Sequence, residues 1–194
     1  MAFIKLILSV ILLIFVSIYQ WFRASLSTYV KSSVDNKYYL VRDLPDKQQV
    51  ADNLAYIKKN IKTMVSYMSK NSPDNFKPYV ERLNKKINNV IILENVRDFY
   101  YTSYSVNKGE QLVFCMRSRK DGSKEQKHSV NLMMYVVLHE IAHIACPEYG
   151  HGQLFKEIFK HFTEIAIQLD LYEMIDFRSN PTEYCGMTIY DSIV

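Results

Sequence analysis

His139-Glu140-Ile141-Ala142-His143, followed by Gly150-His151-Gly152, decides how this chain is read. Residues four apart on a helix share a face, one turn from each other. Two imidazoles at that spacing can grip one metal ion. Catalytic zinc takes three protein ligands and keeps a fourth position for water. A glutamate beside the first histidine can accept a proton from that water. His139, His143 and His151 are thus the candidate zinc ligands, and Glu140 is the candidate catalytic base.

The surroundings of the motif support this. Met133, Met134, Val136, Val137, Leu138, Ile141, Ala142 and Ile144 make the helix apolar all round, as in a buried helix. Buried polar side chains need partners. A single histidine here would be read as a hydrogen-bonded core residue, but two with a glutamate between them point to a metal. Pro147 and Gly150 let the chain turn back so that His151 can approach. Glu164 is the rival third ligand, yet it falls on a polar face with Lys156, Glu157, Lys160 and Gln168, where an i,i+4 pair with Lys160 is the plainer reading. His161 shares that polar face and reads as solvated. His128 reads as a residue of a charged loop with no role. Tyr149 and Tyr184 are candidates, by residue type alone, for a second electrophile.

Working outward, Gln153 to Leu171 is a second helix with Phe155, Ile158, Phe159, Phe162, Ile165, Ala166 and Leu169 on its apolar face. Upstream, Thr102 to Val106 and Gln111 to Arg117 flank Asn107-Lys108-Gly109-Glu110, which reads as a hairpin turn. Asp121-Gly122 marks the next loop. Val90 to Leu93 reads as a short strand. Pro45 opens a long helix with Val50, Leu54, Ile57, Ile61, Met64, Val65 and Met68 as its core stripe, and Pro78 opens a shorter one. Residues 24–43 read as a polar tether. The tail from Phe177 reads as irregular or briefly extended.

Leu6 to Phe22 is an almost unbroken apolar run between Lys5 and Arg23. It matches the roughly 17–25 residues of a spanning helix, and Tyr19 and Trp21 suit an interfacial belt. An uncleaved anchor is preferred to a signal peptide, because no A-x-A site follows. Arg23, Lys31, Lys37 and Arg42 follow the run, so the positive-inside rule puts the catalytic domain on the cytoplasmic side. Cys115, Cys146 and Cys185 are odd in number and far apart, which argues against a disulfide framework and agrees with that side. Cys146 lies near the metal motif, and a fourth-ligand role stays open. With Lys5 and Arg23 set aside, the 24 basic residues leave little excess over the 20 acidic ones, so charge gives no case for nucleic acid.

Asn107-Lys108-Gly109-Glu110-Gln111-Leu112-Val113-Phe114-Cys115-Met116-Arg117 resembles the N-x-G-x-x-I-x-L-R-L-R strand of WLM-type metallopeptidases, which precedes an H-E-L-x-H helix and a His-rich turn. The G-H-G-x-x-F character of Gly150 to Phe155 also resembles SprT-like proteases. The resemblance spans about residues 80–172. It implies a minimal zincin fold, zinc as the cofactor and proteolysis of protein substrates. It also implies a substrate-pairing edge strand, for which Gln111 to Arg117 is the candidate, with Leu112, Val113 and Phe114 as its contact residues. The best-known branches of these families act on DNA–protein crosslinks, but the chain departs from them in the longer His143 to His151 spacing, in the N-terminal apolar run and in lacking a zinc ribbon, so that substrate is not carried over. The tail Pro181 to Met187 looks similar to WLM-like proteins of large DNA viruses.

The expected architecture is α+β: a transmembrane anchor over 1–23, a tether and helical region over 24–78, and a minimal zincin-like domain over 79–194 with a small antiparallel sheet. The expected function is that of a membrane-anchored zinc metalloendopeptidase acting on a protein or peptide. The alternative is a zincin-fold scaffold that binds without turnover.

Overall fold

A computed structural model describes residues 2–96, 101–120 and 126–192, and within the first helix the side chains of residues 4, 5 and 7–18. The expected loop at Asp121-Gly122 lies outside them. That helix, α1, spans Ala2–Ser25. Among the described residues no helix is long and apolar enough to cross a membrane, so the anchor expected over 1–23 does not stand as a finding. The side chains of Tyr19, Trp21 and Arg23 lie outside the described residues.

The expected tether is instead a hairpin of β1 (Ser27–Lys31) and β2 (Tyr38–Arg42), paired antiparallel. Tyr39 and Val41 alternate inward and are buried, a period-2 signal that the outward Tyr38 and Leu40 mask. The hairpin turn is tied to α2 (Lys47–Asn71) by Asp52, which accepts from Ser32 Oγ at 2.8 Å and from the Ser33 amide at 2.7 Å. α2 buries the expected stripe from Val50 to Met68. α3 (Lys77–Ile87) follows with Pro78 in its first turn and Val80, Leu83 and Ile87 inward.

The central sheet has β3 (Ile91–Glu94), β4 (Tyr104–Val106) and β5 (Gln111–Phe114) in the order β3-β5-β4. β5 pairs parallel to β3 and antiparallel to β4. The sheet is therefore mixed, and β5 is its middle strand. This corrects the reading of Gln111 to Arg117 as an edge: Leu112, Val113 and Phe114 are buried and cannot pair with a substrate. A strand enclosed on both sides reads as a continuous apolar run, which is what Leu112 to Met116 is.

α4 (Val130–Ala145) begins at Ser129, whose Oγ accepts from the Leu132 amide at 3.1 Å. It packs against α2, α3 and β4, and against α5 (Gln153–Gln168). These contacts surround it, which explains its all-round apolar sequence. The tail forms a hairpin of β6 (Thr182–Tyr184) and β7 (Met187–Ile189).

Two features join distant segments. Cys115 and Cys185 form a disulfide, correcting the expectation of free thiols; Cys146 alone stays reduced and buried. It staples the β6–β7 turn to the end of β5 across 70 residues of chain, a closure worth about 4 kcal/mol in the chain-entropy model. Second, Arg117 reaches Glu94 at 2.9 Å and Asp46 at 2.6 Å, while Lys127 reaches Asp46 at 2.8 Å. The Arg42 amide donates to Glu94 at 2.7 Å. This network, buried at Arg117 and Glu94 and half-buried at Asp46 and Lys127, links β2, β3, the segment after β5 and the start of α2. Burial tends to raise Asp46, but bonds from Arg117 and Lys127 outweigh it and hold the carboxyl at about 2. Glu94, with a relative exposure of 1%, is pushed up by burial despite the charge of Arg117.

Candidate metal centre

α4 presents His139 and His143 one turn apart, and the loop after it returns His151 to the same point. The three Nε2 atoms form a triangle with every side 3.1 Å. Hydrogen bonds cannot satisfy such a triangle, because each ring nitrogen offers either one proton or one lone pair. Three imidazole nitrogens converging on one point suit a cation instead. Tetrahedral zinc with bonds of about 2.0–2.1 Å sets its nitrogens about 3.3–3.4 Å apart, close to this spacing. Among the described residues, these three form the group able to hold a metal.

The protonation states agree. Burial, then the neighbouring His143 and His151, holds His139 down to about 3. Burial, then His151, then the Lys108 ammonium, holds His143 at about 4. Both imidazoles are neutral and ready to ligate at physiological pH. Glu140 is buried, and burial pushes its carboxyl up to about 7. It lines a cleft of about 670 Å³ together with the three histidines. A carboxyl poised near neutrality is suited to exchanging protons with water.

α5 supplies the wall behind the rings. Phe155 stacks on His143 at 4.2 Å and meets His139 and His151 edge-on at 5.1 Å and 4.9 Å. Phe159 closes on His139 at 5.4 Å. These contacts leave the rings little freedom to turn. The helical periodicity of α5 marks Phe155 and Phe159 as core, but does not reveal that their partners are the ligand rings.

Other candidates fall elsewhere. Glu164 lies on the exposed side of α5 with Lys160 at 3.9 Å, so it takes no part. Cys146 is fully buried and outside the histidine group. Tyr149 lines the cleft, whereas Tyr184 is buried and bonds Ser103, itself a cleft residue. His161 is not solvated: it is buried, stacks on Phe76 at 4.0 Å and bonds Ser72 Oγ at 3.2 Å. His128 is likewise buried, and its Nε2 accepts from the Cys185 amide at 3.3 Å. Cleft residues Tyr101, Ser103, Tyr104, Ser105 and Asn107 had no sequence signal as site residues, because no motif marks them.

No protein-family model matches the chain. It is 44% identical over 170 residues to the uncharacterised protein R325 of Acanthamoeba polyphaga mimivirus, covering 87% of this chain and 85% of that protein. It is 30% identical over 144 residues to the uncharacterised protein 136R of Invertebrate iridescent virus 6, covering 74% and 80%. The chain belongs to the family of these viral proteins. The crystal structure of Wss1 from Saccharomyces cerevisiae is similar at a TM-score of 0.43 and 22% identity, covering 66% of this chain and 86% of that one.

Proposed function

We propose that this protein is a zinc-dependent metalloendopeptidase. The observation that carries this reading is the convergence of three imidazole nitrogens at 3.1 Å beside the buried carboxyl of Glu140, in an open cleft. His139, His143 and His151 hold the ion. Bound there, zinc supplies Lewis acidity, which acidifies water and polarises a peptide carbonyl. Glu140 takes the proton from the attacking water and returns it to the leaving amine. Phe155 and Phe159 keep the ligand rings in place. The peptide lies extended along β4, the outer strand on the cleft side of the sheet; Tyr104 and Ser105 of that strand line the cleft beside the histidines.

Metal analysis tests this directly. The wild-type protein, purified whole, carries one zinc per chain, and His151→Ala loses most of it. Casein cleavage follows the metal and stops with a chelator. A zinc-free wild type ends the proposal. A zinc-loaded protein that cleaves nothing, and matches Glu140→Gln in every assay, is the non-catalytic scaffold instead.

The localisation expected from the sequence stands as a second proposal: α1 seats the protein on a bilayer. Ile7, Leu8, Ile11, Leu12, Phe15 and Ile18 of α1 are all exposed, which places large apolar area in water unless lipid covers it. The disulfide removes the cysteine argument for a cytoplasmic domain, leaving the basic residues after the run. The full chain co-floats with phosphatidylcholine vesicles on a density gradient, and a chain lacking residues 1–25 stays at the bottom. Equal behaviour of the two chains refutes the lipid seat.

A further inference from the structure

The third ligand sits on the least supported backbone of the site. Residues 146–152 form an irregular loop, Gly150 is left-handed with φ +79°, and a side chain there would meet nothing within 4 Å. Tyr149 next to it is 89% exposed. From residue 147 to 152 the loop is exposed, so apart from the contact of the His151 ring with Phe155 its own side chains pack too little to fix where His151 lies. Lys108, from the β4–β5 turn, reaches across to this loop. Its Nζ donates to the carbonyls of Cys146 at 3.0 Å, Glu148 at 3.2 Å and Pro147 at 3.5 Å, and lies 4.4 Å from the Tyr149 ring centroid. Three successive carbonyls at the C-terminal end of α4 are a favourable seat for an ammonium.

The turn is built to deliver that lysine. Asn107 and Lys108 both adopt left-handed backbone, φ 47° and 49°, which costs non-glycine residues about 1 kcal/mol or more each. Gly109 seats the turn against Ile144 of α4, where an added Cβ would come within 3.1 Å of that side chain. The base of the lysine is thus held on the helix that carries the other two ligands. Electrostatics alone argues against a lysine here: its ammonium lines the same cleft as the three histidines, where like charge repels a cation. Its place is explained by what it holds.

We propose that Lys108 is a positioning residue for the metal, clamping the 146–148 backbone so that His151 meets His139 and His143. This rests on the metal-site reading above. The two effects of the lysine have opposite signs, which makes the test decisive. Zinc affinity of the full chain is measured by competition with a chromophoric chelator for wild type, Lys108→Met and Lys108→Arg. Loss of the clamp weakens zinc about 10- to 100-fold in Lys108→Met, the range for supports behind metal ligands, and Lys108→Arg recovers most of it. In a His151→Ala background the same Lys108→Met change leaves zinc affinity level or slightly tighter, because only the repulsive charge is then removed. Thermal unfolding of the metal-free variants checks that each is folded. Undiminished or tighter zinc in Lys108→Met with the triad intact overturns the inference. So does an equal loss in the His151→Ala background. Failure of the wild type to bind zinc sinks the metal reading and this inference together; zinc bound equally by wild type and Lys108→Met sinks this inference alone.

Discussion

Glu140→Gln abolishes peptide cleavage while leaving the zinc in place. The amide keeps the size of the carboxyl but cannot take a proton, so kcat falls about 10³-fold, within the range for a lost general base. Because the three ligands are untouched, zinc per chain stays at the wild-type value. The same change makes the metal-free protein more stable. Burial holds the Glu140 carboxyl at about 7 in the fold, against 4.5 for the ordinary group. A raised folded pKa means stability that is complete below about pH 4.5 and is lost as pH rises through 7. Above neutrality the buried carboxylate costs the chelated wild type about 3 kcal/mol. Urea unfolding of the chelated proteins therefore shows Glu140→Gln ahead of wild type at pH 8 and level with it at pH 4.5. A variant that cleaves as fast as wild type removes Glu140 from the chemistry. One that gains no stability at pH 8 denies that the carboxyl is buried at a cost.

Arg117→Met destabilises the fold by about 3–5 kcal/mol at pH 8, the usual result of leaving a buried charge without its partner. Glu94 then keeps the Arg42 amide and the more distant Arg42 charge, and Asp46 keeps Lys127. In the variant the Glu94 carboxyl rises further, so the stability it contributes is intact at low pH and lost as pH climbs through its folded pKa. Asp46, held at about 2 by its partners, loses part of the support that it gives above the ordinary carboxylate range. The Glu94 effect makes the deficit largest in alkali and smaller towards pH 5, whereas the Asp46 effect is constant across that range and shrinks only as pH falls through the ordinary carboxylate range. Adding Glu94→Gln to the variant recovers much of the loss, since the glutamine oxygen still accepts from the Arg42 amide. A deficit below about 0.5 kcal/mol, or one constant with pH, contradicts the reading of this cluster as a buried ionic joint.

Legibility divides along a physical line. His139 and His143 are one turn apart wherever that helix forms, so their partnership and the place of Glu140 between them were readable from spacing. The apolar stripes of α2 and α3, the apolar character of α4 and the β4–β5 hairpin were equally readable, because 3.6-residue and 2-residue periods follow from local backbone geometry. β5 was misread as an edge because a sequence shows that a strand is apolar, not which neighbours enclose it. His161 was misread as solvated because its place on α5 does not reveal that Ser72 and Phe76 cover it.

The three candidate ligands, the carboxyl between the first two and the elements that carry them follow from the chain's local pattern, because they are set by residues within a few positions of one another. Only the tertiary structure decided that Cys115 meets Cys185, that Arg117 joins Glu94 to Asp46, and that Lys108 grips the loop bearing His151. Those pairings span tens of residues. Packing and loop closure select them from many alternatives, and nothing in the local pattern of the chain encodes that choice.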